Sequence, residues 1–256
     1  MRNNVYQRLD TSFNDIIVKD VSNFSFWFVN SSFNEPLDKW AYDLCATHIT
    51  MFGMFADSSF NHPLNSWNVT NVTNMFNMFY NSSFNHQLNS WNVTNVTNMS
   101  GMFYNSSFNQ DISNWNVIKV TDMEAMFADS SFNHPLNSWN VSAVTNMRYM
   151  FADSSFNHPL NSWNVSNVTY MNNMFYNSSF NQDISNWEIQ TLFRQLQPNY
   201  SNIFTGPQIN SLNNNIFEGW YITISNDDSN LKLDSSSQII GALELAGLKK
   251  PDRFPY

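Results

Sequence analysis

The sequence predicts an α/β repeat solenoid, with short parallel strands stacked into one sheet and short helical or 3₁₀ segments on the other side. Three observations carry this. Phe60, Phe84, Phe108, Phe132, Phe156 and Phe180 stand 24 residues apart, and each is followed by Asn. Trp67, Trp91, Trp115, Trp139, Trp163 and Trp187 keep the same step, seven residues behind each Phe. Every Met after Met1 falls in one of six Met-x-x-Met-Phe blocks, from Met51/Met54 to Met171/Met174. Large apolar residues that return at one phase occupy the same place in successive units, and each unit buries its apolar side only against its neighbours.

In chain order, Phe13-Asn14 reads as a decayed copy, and Phe24, Phe26, Trp27 and Phe28 fill the Met-block slots with aromatics, as an atypical terminal unit would. Phe33–Trp40 is a further copy, offset by a three-residue insertion. In the unit that opens at Leu64, Trp67 and Val69 are two apart, the spacing of one strand face. Val72, Met75, Met78 and Phe79 follow at three, three and one, which matches one face of a short α- or 3₁₀-helical segment. Residues 1–190 thus form about seven to eight units, and 191–256 form a C-terminal cap. In the cap, 188–210 reads as a degenerate last unit, 216–224 as a strand, and 237–247 as a helix that Pro251 stops.

Composition excludes several classes. The chain is 42% hydrophobic and 16% aromatic, enough for a core, while only 12% of residues are charged, so Asn keeps the surface polar. Net charge is −9, and Lys119 and Arg148 are the only Lys or Arg between Phe55 and Trp187. Nucleic-acid binding needs clustered cations, so it is set aside. No apolar run reaches the roughly 18–20 residues of a membrane span. Cys45 is alone, so no intrachain disulfide forms. The opening residues lack a secretory signal and no lipid-anchor Cys follows a leader, which favours an intracellular or virion-associated chain over a classically secreted one.

The polar columns admit several chemistries. The Asn after each Phe (Asn34, Asn61, Asn85, Asn109, Asn133, Asn157, Asn181) reads as a structural ladder, because an amide supplies both donors and an acceptor where corners leave backbone groups unpaired. The other reading is a polar binding stripe. Met pairs could hold copper(I), but one pair in every unit reads as core filling. His62/His86 and His134/His158 could pinch a metal across adjacent units, yet Gln110 and Gln182 fill the same slot and no other ligand type joins them. Asp111 and Asp183 stand alone in their units, without the paired carboxylates of a glycosidase. A polysaccharide lyase would need basic and acidic residues gathered in a groove. The Thr column is too broken by Ile118, Ser142 and Ser166 for an ice-binding grid, and the Asn-x-Ser/Thr sequons follow from the repeat itself. No catalytic residue, metal or cofactor is assigned.

The blocks Phe-Asn-Gln-Asp-Ile-Ser-Asn-Trp-Asn-Val (108–117), Val-Thr-Asp-Met-Glu-Ala-Met-Phe (120–127) and Phe-Asn-His-Pro-Leu-Asn-Ser-Trp-Asn-Val-Ser (132–142) resemble the repeats of BspA-like surface proteins. That family comprises leucine-rich-repeat-like proteins of bacteria, mycoplasmas and protists, also found in large DNA viruses. The resemblance covers about residues 12–190 and implies a leucine-rich-repeat-like solenoid used for adhesion or protein contacts. The expected function is therefore a non-enzymatic structural or protein-interaction repeat, a surface or virion component, with a carbohydrate-binding adhesin as the alternative and a polysaccharide-active enzyme as a remote one. Lys119, Glu124, Arg148 and Tyr149 depart from the repeat in two neighbouring units and are the candidate interaction surface.

Overall fold

Successive repeats in the computed structural model, which describes residues 12–42, 44–184, 187, 220–223 and 230–233, are bonded side by side through their backbones. The N–H groups of Met75, Asn77, Phe79 and Asn81 donate to the carbonyls of Asn98, Ser100, Met102 and Tyr104 at 2.7–3.0 Å. The same four rungs recur from Met99, Met123 and Met147 into the unit that follows each. This is a repeat fold with parallel pairing between neighbours.

The pairing sits elsewhere than the spacing suggests. Strand β1 (Ile49–Thr50) pairs in parallel with β2 (Val72–Asn74), with Ile49 opposite Val72 and Thr50 opposite Asn74. Later units contribute one parallel bridge each, in the column Asn74, Asn98, Asp122, Asn146 and Tyr170. The strand expected at Trp67 and Val69 is not formed. Those residues flank tight turns instead, with Trp67 N–H donating to Leu64 O at 3.0 Å and Val72 N–H to Val69 O at 2.9 Å.

The helical segment expected over the Met blocks is a chain of turns. Met78 N–H donates to Met75 O and Tyr80 N–H to Asn77 O, while φ is positive at Asn77 (53°) and Asn81 (48°). A residue in the left-handed region every fourth position prevents an α-helix. It also turns the alternate N–H groups toward the next unit, where they find carbonyls. The residue types fit this local geometry, since Asn30, Asp57, Asn81, Asn105, Asp129, Asp153 and Asn177 all occupy the second such position. Asn and Asp tolerate this conformation better than other side chains. In the first, atypical copies, short 3₁₀ turns form at Phe13–Asp15 and Asp38–Tyr42.

Inside the array the core is one continuous cluster. Leu64, Trp67, Val69, Val72, Met75, Met78, Phe79 and Phe84 are all buried, and so are their counterparts from Leu88 to Trp187, whereas in the first units Trp27 is exposed and Phe33 half-buried. Identical rings stack along the array, with Phe79 and Phe103 at 5.8 Å and 2° and Trp91 and Trp115 at 6.3 Å and 5°. Within a unit Phe79 lies 4.3 Å from Phe84, so the two Phe columns interlock. The three-residue insertion does not break the stack, because Trp40 still lies 6.1 Å from Trp67.

In the C-terminal part, β3 (Trp220–Thr223) pairs antiparallel with β4 (Asn230–Leu233). The degenerate unit expected over 188–210 and the helix expected over 237–247 lie outside the described residues. Among the described residues no helix is long and apolar enough to cross a membrane.

The other left-handed position is less uniform. Gly53, Gly101, Asn77 and Asn173 suit it, but Phe26 (φ 61°), Ala125 (52°) and Tyr149 (55°) share it. An L-residue there is held at a cost of roughly 1–2 kcal/mol. Ala125→Gly should therefore stabilise the protein by roughly 0.5–1 kcal/mol once the greater freedom of unfolded glycine is deducted. Urea unfolding of the variant beside wild type measures this, and a lower midpoint would refute it.

Candidate functional site

Most polar side chains of the repeat are committed to holding neighbouring units together. Each ladder Asn accepts the backbone N–H of its successor at its Oδ1. Asn61 accepts from Asn85 at 3.1 Å, Asn85 from Asn109 at 2.9 Å, Asn109 from Asn133 at 3.0 Å, Asn133 from Asn157 at 2.9 Å, and Asn157 from Asn181 at 2.9 Å. The bonds run side chain to backbone rather than amide to amide. Most of these side chains lie at the surface and not in a buried corner.

The His column joins the same edge. Nε2 of His62, His86, His134 and His158 lies 2.9–3.1 Å from the carbonyls of Asn34, Asn61, Asn109 and Asn133. A carbonyl only accepts, so each Nε2 carries the proton and donates. Gln110 and Gln182 substitute by donating from Nε2 to the Oδ1 of Asn85 and Asn157. The equivalence of His and Gln is thus one of donor position. Among the described residues no group of three or more His, Cys, Asp or Glu could hold a metal.

Two further ladders escaped the sequence reading. Each Trp Nε1 donates to a carbonyl of the preceding unit, as Trp91 does to Leu64 at 2.8 Å and Trp139 to Ile112 at 3.1 Å. Thr97, Thr121 and Thr145 hydroxyls donate to the carbonyls of Thr73, Thr97 and Thr121 at 3.1–3.2 Å. The regular recurrence of Trp and Thr was the available signal. From spacing alone the Trp recurrence reads as core packing and the Thr recurrence as a broken grid, because a spacing does not reveal which atom faces a carbonyl.

One face remains variable, that of the chained turns, whose residues between the Met pairs are half-buried or buried. Between the buried Met and Phe, one column runs Phe52, Phe76, Ser100, Glu124, Arg148 and Asn172, and the next runs Gly53, Asn77, Gly101, Ala125, Tyr149 and Asn173. Side chains in the second column lean over the following unit. A Cβ at Gly101 would lie 1.9 Å from Asn77 Oδ1, and one at Gly53 would lie 2.8 Å from the Phe26 ring. At the N-terminal half Phe26, Phe52 and Phe76 form an aromatic row, with centroids 4.5 and 4.7 Å apart. Tyr80 and Tyr104 stack beside it at 4.9 Å and 9°.

The structure places Glu124 and Arg148 in one column and Tyr149 in the adjoining one, all half-buried. Lys119 is apart from them. It is exposed in the column of Asn71 and Asn95, and its Nζ donates to Asn95 Oδ1 at 2.7 Å. Glu124 accepts from Asn146 Nδ2 at 2.9 Å. Arg148 Nε and Asn172 Oδ1 are buried without a hydrogen-bond partner. Each such group costs roughly 1–3 kcal/mol when left unpaired. Asn172 was missed from sequence, since nothing distinguishes one Asn among so many.

Hydrogen bonds perturb two ionisable groups of the array. The Asp129 carboxylate accepts from the Tyr104 hydroxyl, and this bond, with burial and the Asp129 charge, pushes the phenol up to about 12. A folded value above the unfolded one stabilises the fold below pH ~10 and loses that contribution as pH rises through the folded value. Tyr104→Phe should therefore remove a late tyrosinate component near pH 12 from an ultraviolet pH titration. A late component that persists in the variant would refute the assignment. On the ladder edge, the Ser113 N–H at 2.9 Å holds the Asp111 carboxyl below its ordinary range. That contribution is present at neutral pH and fades as pH falls through the folded value.

The family model described as "Mycoplasma protein of unknown function, DUF285" matches residues 2–110 and again 104–220. Neither the curated proteins nor the solved structures include a match to this chain. The two family matches together run through the whole described repeat array. The chain belongs to the DUF285 family, a repeat family associated with mycoplasmas.

Proposed function

We propose that the chain is a non-enzymatic interaction protein: a rigid, leucine-rich-repeat-like solenoid of the BspA-like kind that presents one face to a protein partner, as a surface or virion component. The observation that supports this is the uneven distribution of variation. Columns outside the chained turns repeat the same residue types and spend their polar atoms on neighbouring units. The outward columns between the Met residues change from aromatic to small to charged along the array. Partners of repeat arrays engage surfaces that span several units, with binding energy concentrated in a few aromatic and Arg anchors. Glu124, Arg148 and Tyr149 supply such anchors at one end of the face, and the Phe52 and Phe76 row supplies them at the other.

Substituting Lys119, Glu124, Arg148 and Tyr149 by alanine, and Phe52 and Phe76 likewise, against a partner captured from native material tests this reading. Loss of binding at one or more face positions with unchanged melting is expected, and Lys119 should matter least. Binding untouched by all of them but abolished on removing residues 191–256 would move the site to the C-terminal part.

A carbohydrate-binding adhesin is the second reading, favoured by the flat stack of Tyr80 on Tyr104. Glycan-array binding that vanishes in Tyr80→Ala and Tyr104→Ala, while the protein partner is retained, would promote it.

A further inference from the structure

Three observations meet at one place on the outward face. Arg148 and Asn172 hold the same column position in consecutive units, and Arg148 Nε and Asn172 Oδ1 are both buried with no hydrogen-bond partner. Asn172 is only 7% exposed. The backbone rung beside them, from Tyr149 N–H to Asn172 O, is 3.2 Å, whereas its five counterparts from Phe26–Phe52 to Ala125–Arg148 are 2.7–2.9 Å. Tyr149, in the adjoining column, is a bulky side chain held at φ 55°, at the left-handed position that recurs in every unit. Among the described residues Arg148 has no ion pair, and its acidic column neighbour Glu124 accepts from Asn146.

The orphaned pair is one donor and one acceptor, which selects the chemistry of what would satisfy it. A carboxylate or phosphate would suit Arg148 but would set oxygen against the oxygen of Asn172. An ammonium would do the reverse. A neutral group offering an acceptor and a donor side by side satisfies both. The main chain of an extended peptide is such a group, since its N–H and C=O lie in the strand plane and alternate along one edge.

We propose that Arg148 and Asn172 grip the main chain of an extended peptide segment of the partner, with Arg148 Nε–H donating to a carbonyl and Asn172 Oδ1 accepting from an amide N–H. This rests on reading the outward face as a protein-binding surface. Arg148 is half-buried on a long flexible stem, so it is the side chain that swings outward to admit the segment. Tyr149 then flanks the peptide, and Tyr170, exposed in the bridge column, lies in the same unit as Asn172.

The test uses the full chain and heptapeptides selected on it from a random phage library. Affinities are measured for wild type, Arg148→Met, Asn172→Leu and Asn172→Asp, and for peptides N-methylated at each position in turn. Arg148→Met and Asn172→Leu should each weaken binding at least tenfold, while Asn172→Asp, which keeps the acceptor, retains it. One N-methyl position should cost as much in wild type as Asn172→Leu does, and nothing further in that variant. Selection of no peptide, or affinities indifferent to Arg148→Met and Asn172→Leu, would overturn the proposal. So would displacement of the peptides by methyl pyranosides. Strongly coupled losses of melting temperature in the Arg148 and Asn172 variants would mean that the two bond each other, and would also overturn it. Binding lost in Glu124→Ala or Tyr149→Ala but kept in Arg148→Met and Asn172→Leu would leave the protein-binding face standing and remove only this grip.

Discussion

Trp139→Ala is expected to destabilise the protein by roughly 3–5 kcal/mol, the range for deleting a large buried aromatic. The indole is 2% exposed, stacks on Trp115 at 6.4 Å and 4°, and donates from Nε1 to Ile112 O at 3.1 Å. Alanine removes the ring and one of the two donors to the Ile112 carbonyl, which keeps the Trp115 N–H at 3.0 Å. Because each unit is buried only by its neighbours, the loss weakens two interfaces at once. Trp139→Phe keeps most of the packing and removes the hydrogen bond, so it should cost less, about 1–2 kcal/mol. Urea denaturation followed by circular dichroism separates the two variants. If Trp139→Ala unfolded like wild type yet lost affinity for a partner, the Trp column would be a binding surface and not a core.

Excision of residues 109–132, one full period, is expected to leave a folded protein, whereas deletion of Ala125 alone is expected to abolish cooperative unfolding. The excision joins Phe108 to Asn133, and every later unit meets a neighbour equivalent to the one it lost. The Asn133 N–H would then donate to Asn85 instead of Asn109. Losing Ala125 shifts the chain by one residue inside the chained turns. Met126 and Phe127, both fully buried, then fall out of their columns. Misplacing them forfeits roughly 2–5 and 3–5 kcal/mol respectively, a large share of the stability of an ordinary domain. Size-exclusion and denaturation profiles of both deletions test the contrast. A folded Ala125 deletion would mean that the turns slip to absorb a residue. The structure argues otherwise, since the extra residues before Ile49 lie outside the turns, and the rungs from Phe24, Phe26 and Phe28 to Thr50, Phe52 and Met54 remain in step.

The candidate face was half legible in the sequence. Glu124, Arg148 and Tyr149 stood out because they break a repeat, and the structure does gather them. Lys119 broke the repeat equally but sits in a column whose role is to reach the preceding unit, and its amine does so at Asn95. A departure from the repeat therefore marks tolerance, and only the column decides whether the departure faces a partner or a neighbour. The aromatic row of Phe26, Phe52 and Phe76 was hidden for the opposite reason. Phenylalanine is so common in this core that three outward copies look like more of the same until Gly53 is seen making room for one of them.

By itself the sequence determined the unit, its length, and which side chains are buried. Identical large apolar residues at a constant step can leave water together only by packing against their own copies, and no fold knowledge is needed to see that. The tertiary structure alone decided the path of the backbone between those side chains. Apolar spacings of three and four belong equally to a helix and to a run of turns, and the tie is broken by bonds to residues about 24 positions away. Once Met75, Asn77, Phe79 and Asn81 can donate to the next unit, a left-handed residue at every fourth position costs less than leaving those N–H groups unpaired. The helix that the local pattern permits gives way to turns that only the neighbouring units make favourable.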